Sequence, residues 1–260
     1  MKIPDKMLNS LVPIGLDNAL KQLNWIGSGF LINHKSSGID EIYLVTNKHV
    51  VTAKTQIYLR FNLNSGGIID KSVTLQLDTV SYWTGHPDTK VDVAVIPLPI
   101  DFIQANNLNA SAIDMTNDCA TKQFLIDKNL GEGNDVFVLG YPMGMVDLNN
   151  SFPIARKGVL SKIRHMTLHN NNDYIIDVLN FPGNSGGPVF LEQIELDFDK
   201  KILISQFYLV GIIKSYIPYQ DTAISSQTNR ARIIFEENSG LAFAEITDRI
   251  LETITEFKKV

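Results

Sequence analysis

Three short segments carry residue types that can do chemistry together. TNKHVV (46–51) ends a strand-like run in His49, VDVAVIPL (91–98) sets Asp92 at the head of an apolar run, and PGNSGGPVF (182–190) holds Ser185 in a turn too rich in glycine for a core strand. A serine hydroxyl is a feeble nucleophile at neutral pH and needs a neighbouring base. Histidine, with a reference pKa of about 6.5, is neutral at pH 7 and basic enough to take that proton and later return it. A carboxylate on the far ring nitrogen fixes the tautomer and stabilises the imidazolium that forms. The oxyanion created by attack wants preorganised donors, and the backbone N–H groups of Gly183 and Ser185, flanking Asn184 in the turn, suit that need. Gly186 and Gly187 leave room behind the serine, and Pro188 begins the next strand at an end that needs no ladder donor.

Elements able to hold such groups are short. Apolar runs rich in Val, Ile, Phe and Tyr, bounded by Gly, Asn, Asp or Pro, fall at 29–32, 42–45, 91–98, 136–141, 174–179, 188–191 and 207–216. This pattern predicts a sandwich or barrel rather than a parallel sheet with helical crossovers. The clearest helix is the tail, where Ile246, Ile250, Ile254 and Phe257 share one face, Asp248 sits in the first turn and Lys258 and Lys259 in the last. A weaker helical pattern covers 16–23. The polar stretch 116–122 reads as the connection between two halves.

The segments in this order resemble the trypsin/chymotrypsin-like serine peptidases, closest to the disulfide-free bacterial branch that includes the high-temperature-requirement proteases, here without a PDZ-like segment. The resemblance spans roughly 27–246. GSGFLI (27–32) is similar to the opening strand, GEGNDVFVLGYPMG (131–144) to the entry to the second barrel, and ARKGVLSKI (155–163) and SGLAFAEI (239–246) to two later strands. It implies an all-β fold of two six-stranded antiparallel barrels with a C-terminal helix: an N-terminal segment 1–22, first barrel 23–115, linker 116–122, second barrel 123–246 and helix 247–260, all one peptidase unit. It further implies His49 as general base, Asp92 as its orienting carboxylate and Ser185 as nucleophile, 43 and 93 residues apart along the chain.

Two positions depart from secreted, zymogen-activated members. Asn184 is a neutral residue where those carry an aspartate that pairs with a newly cut N-terminus, so activation by such cleavage is not expected. Leu179, at the position resembling the floor of the specificity pocket, would leave a substrate Lys or Arg without a partner, which predicts a non-basic preference. The strand 209–216 resembles the wall along which an extended peptide pairs. There Ser215 belongs to the substrate wall, Tyr216 narrows the pocket, and Lys214 offers an alternative attraction for an acidic side chain. Residues 217–232 read as a long surface loop.

The 260 residues are 44% hydrophobic with a net charge of −5 spread along the chain, which argues against a grip on nucleic acid or anionic lipid. Pro4, Asp5, Lys6 and Asn9 interrupt any signal-like apolar segment, so a cytoplasmic protein is expected. Cys119 is the only cysteine and reads as a buried small hydrophobe. His165 and His169 read as a surface pair, His86 and His34 as loop and turn residues, and no cofactor or metal is called for. A protein or peptide substrate is the expected partner. The alternatives are a catalytically silent peptide-binding module, or an effector on the same fold switched on by an activating partner in a stress or defence system.

Overall fold

The computed structural model describes residues 2–18, 20, 22–164, 166, 173–197 and 201–259. The pair His165 and His169 lies outside the described residues. The strands in chain order are β1 (Leu11–Asp17), β2 (Leu23–Ser36), β3 (Ile39–Asn47), β4 (Gln56–Asn62), β5 (Ile68–Thr74), β6 (Gln76–Leu77), β7 (Val80–Ser81), β8 (Thr84–Gly85), β9 (Val93–Leu98), β10 (Ile113–Asp114), β11 (Asp135–Gly140), β12 (Ile154–Lys162), β13 (Asp173–Asp177), β14 (Pro188–Asp197), β15 (Ile202–Ile224) and β16 (Ala231–Ile246).

The second half closes as a six-stranded barrel in the order β11-β12-β13-β16-β15-β14, as expected. The first half differs. Its hydrogen bonds form an eight-stranded sheet whose path β5-β4-β1-β2-β3-β9-β8 ends without closing, with β10 added to β2. The extra strand comes from the stretch expected to be an N-terminal segment. Val12 and Ile14 alternate inward with no exposed surface, so β1 inserts between β2 and β4. Strand structure through Asp17 also replaces the helix expected at 16–23. The linker differs at its end, because residues Lys122–Asp127 form a helix capped by Thr121.

Alternation sorts the side chains into three cores. One fills the first sheet with Ile14, Leu44, Ala94 and Ile96; another fills the barrel with Val136, Leu160, Tyr174 and Ala242. The third lies between them, joining Phe30, Val93 and Val95 to Leu139, Phe190 and Leu209. The C-terminal helix Thr247–Phe257 seals that seam with Ile250 and Ile254, while Phe257 meets Tyr43 edge-on at 6.0 Å. Cys119 is buried in the same seam, where burial pushes its thiol pKa up. Among the described residues no helix is long and apolar enough to cross a membrane.

Candidate active site

His49 and Asp92 meet because of strand register. β3 pairs with β9 so that Asn47 faces Val93, and the next residues outward on each strand are brought side by side. Beyond Asn47 the chain makes one helical turn, Lys48–Val51. Val50 and Val51 sink into the first core, which leaves the His49 side chain half exposed at the surface. Asp92 lies between buried Val91 and Val93, so alternation turns its side chain the opposite way. Its Oδ2 lies 2.5 Å from His49 Nδ1 and its Oδ1 accepts the His49 backbone N–H at 3.1 Å. The Asp92 carbonyl accepts from Asn47 Nδ2 at 2.8 Å and from Lys48 N–H at 3.1 Å. An ionised carboxylate only accepts, so the ring proton sits on Nδ1 and leaves Nε2 with a free lone pair.

Ser185 arrives from the other sheet, in the turn between β13 and β14. Gly183 sits there at φ +97°, and a Cβ on it would lie 2.4 Å from the Tyr141 carbonyl. That backbone turns the Pro182 carbonyl onto Met143 N–H, at 2.6 Å, so the N–H of the same peptide plane points the other way. Among the described residues neither the Gly183 nor the Ser185 N–H donates to a protein acceptor. Asn184 is buried, its amide donating to Asn180 Oδ1 at 3.0 Å. The turn is thus held by a neutral amide pair.

A cleft of about 320 Å³ is lined by His49, Asp92, Ser185, Lys214, Ser215 and Tyr216 with 180–182. One edge of the strand at its side is open. β14 pairs with β15 as far as Ile212, and Ile213 is still held by the turn before it, its N–H donating to the Gly187 carbonyl at 2.8 Å and its carbonyl accepting from Gly186 N–H at 3.1 Å; beyond Ile213 that edge is unpaired, while the opposite edge of β15 stays bonded to β16 through Tyr216. A smaller hollow of about 120 Å³ continues past Tyr216 between 180–182 and Glu236, Glu237 and Asn238. Hydrogen bonds from the Tyr216 hydroxyl and the Gln220 amide hold Glu236 below the usual carboxylate range.

Two specificity expectations are corrected. Leu179 lines a separate hollow with Arg156, Lys157, Asp177 and Val178, so it is not a floor beneath Ser185. Residue 179 lies just past the end of β13, exposed beside that hollow and not in the cleft lining, so the ground for a non-basic preference falls away. The Lys214 ammonium is spent on Glu245, Asp173 and the Lys90 carbonyl and is not free to receive an acidic substrate. Residues 217–232 are not a loop either: most belong to the long β15–β16 hairpin.

His86 lies in the loop after β8, as expected, and is buried there. Its Nε2 meets Glu252 at 2.8 Å and its Nδ1 accepts from Asp88 N–H at 3.1 Å. His34 lies on β2, paired with Glu41 across the ladder. Among the described residues no cluster of three or more His, Cys, Asp or Glu is arranged to hold a metal.

A family profile described as the trypsin-like peptidase domain matches residues 27–196. The chain belongs to the trypsin-like peptidase family. The match covers more than half of the sequence and includes His49, Asp92 and Ser185, while the cleft wall at 214–216 lies beyond it, and with it comes the chymotrypsin-like fold. A search of curated proteins finds no match.

One residue of this trypsin-like peptidase domain escaped the sequence reading. Ser28 is fully buried on β2. Its N–H donates to the Ser185 carbonyl at 2.9 Å, its hydroxyl donates to the Gly183 carbonyl at 2.7 Å and accepts from Tyr141 N–H at 3.0 Å, and its carbonyl accepts from Thr46 Oγ1 at 2.8 Å. Its signal was the pair of flanking glycines in GSG, which permits another backbone to come this close.

Proposed function

We propose that the chain is a serine endopeptidase that cleaves protein or peptide substrates through an acyl-enzyme. The observation that carries this reading is the His49–Asp92 contact at 2.5 Å with Ser185 on the wall of the same cleft. His49 Nε2 takes the Ser185 Oγ proton as Oγ attacks the scissile carbonyl carbon, while Asp92 stays ionised and steadies the imidazolium. The Gly183 and Ser185 N–H groups, unspent within the protein, receive the oxyanion. His49 then protonates the leaving amine, and water repeats the sequence on the acyl group.

The open edge of β15 at 214–216 supports an extended substrate that adds to the strand through main-chain bonds. Glu236 in the adjoining hollow favours a basic side chain before the scissile bond over the apolar one expected from Leu179.

The test is covalent labelling by a fluorophosphonate. Label on Ser185 that is lost in Ser185→Ala and in His49→Ala supports the reading. An unlabelled protein that still binds extended peptides would make it a binding module instead.

A further inference from the structure

Asp92 is gripped from behind as well as from the front. Its side chain meets His49, and its backbone N–H points to the outer wall of the barrel, onto both oxygens of Glu245 at 2.8 and 2.9 Å. Glu245 lies on β16 with no exposed surface. Burial pushes it up to about 7, against the pull of Lys214 and of the Asp92 N–H. Lys214 Nζ stands 2.9 Å from Glu245 Oε1, 3.1 Å from each Asp173 oxygen and 2.7 Å from the Lys90 carbonyl. Glu245 and Lys214 therefore hold the 90–92 segment at two points, although that segment belongs to the first sheet.

The barrel is built to present this grip. Asp173 pairs directly with Glu245 across β13 and β16, and the register of β15 slips between Ile213 and Ser215. That bulge takes Lys214 off the ladder and re-aims its side chain. A buried ion pair is a poor source of stability, since apolar residues of similar size often serve as well or better. Stability alone therefore gives little reason for this one.

We propose that Glu245 and Lys214 are positioning residues for the peptidase reaction, fixing the Asp92 backbone from the barrel so that its carboxylate meets His49. The inference rests on the reading of His49, Asp92 and Ser185 given above, and its test is chosen to be readable apart from that reading.

The variants are Lys214→Met/Glu245→Met, which replaces the pair by apolar residues of similar length; Glu245→Met alone; and Glu245→Gln, which keeps an oxygen for the Asp92 N–H. Each is made in the full chain and read in two ways. One is kcat and KM on a peptide substrate together with the fluorophosphonate labelling rate. The other is the low-field proton resonance of His49 Nδ1–H, recorded in a Ser185→Ala background where no catalysis is needed. The double Met variant is expected to keep the thermal midpoint near that of the parent, Glu245→Met alone to lower it because Lys214 loses one partner of the pair, and both to lower kcat roughly 10- to 100-fold with little change in KM and to move the resonance. Glu245→Gln is expected to recover most of the rate and the parent resonance. Leu160→Ala, a cavity in the barrel core away from the seam, loses stability without moving the resonance.

Met variants with parental kcat and an unmoved resonance overturn the inference, as does a resonance that Leu160→Ala moves equally. A parent protein that takes no label, while its resonance responds to Glu245→Met, sinks the peptidase reading and upholds the positioning of Asp92.

Discussion

Gly183→Ala isolates the oxyanion turn. At φ +97° a residue with a Cβ costs about 1–2 kcal/mol in backbone conformation alone. The added Cβ would also stand 2.4 Å from the Tyr141 carbonyl, 3.0 Å from Met143 N and 3.2 Å from Gly144 N. All three are backbone atoms and cannot rotate aside, so the turn itself must move. Movement breaks the Met143–Pro182 bond and swings the Gly183 N–H off its aim. Loss of one oxyanion donor lowers kcat about 10²- to 10³-fold. Gly133 supplies the control, because its φ of +95° carries the same backbone cost while a Cβ there has nothing within 4 Å. The assay is the second-order rate of fluorophosphonate labelling beside the thermal midpoint. We expect Gly133→Ala to lower the midpoint by a few degrees with an unchanged labelling rate, and Gly183→Ala to lose the label. Equal labelling by both variants would refute the oxyanion reasoning.

Three further outcomes are expected. Glu245 keeps its proton in the folded state up to about pH 7, against an ordinary value of 4.5. Its contribution to stability is therefore full below pH 4.5 and lost as pH rises through 7. Thermal melts from pH 5 to 8 should show Glu245→Gln gaining on the parent as pH rises, and the opposite trend would reverse the sign argument. Ile254→Ala empties a fully buried site where the C-terminal helix seals the seam and should cost about 2–5 kcal/mol by denaturant unfolding; a cost below about 1 kcal/mol would mean the helix is not packed there. Glu236→Gln should weaken any preference for Lys or Arg in a cleavage-site profile, and an unaltered profile would take Glu236 out of specificity.

That His49, Asp92 and Ser185 line one cleft was legible because the chemistry expected of them demands particular side chains at strand ends and in a glycine turn, and those are local signals. The barrel strands and the tail helix were legible through periodicity, as Ile250 and Ile254 show. β1 was missed because its pairing partners, β2 and β4, are declared by no local cue, and a short run containing Pro13 and Gly15 reads poorly as a strand. Leu179 was misplaced because counting back from Ser185 ignores where β13 ends. Glu245 went unread for a different reason. In the alternating run Ala242, Phe243, Ala244, Glu245 it falls on the outward face of the barrel, which a period-2 reading assigns to solvent, yet here that face lies against the first sheet and Glu245 has no exposed surface.

Ser28 makes Ser185 a tenant of two sheets. Its bonds to the carbonyls of Ser185 and Gly183 come from β2, while the chain that bears those two residues is woven into the barrel. Cut between the sheets, the barrel would keep every atom of Ser185 and lose the brace that shapes its turn, and the first sheet would keep His49 and Asp92 with no hydroxyl opposite them, so that on the peptidase reading proposed above neither half could act. Two fragments mixed in solution would then be inert until they docked, so turnover would serve as a gauge of their reunion.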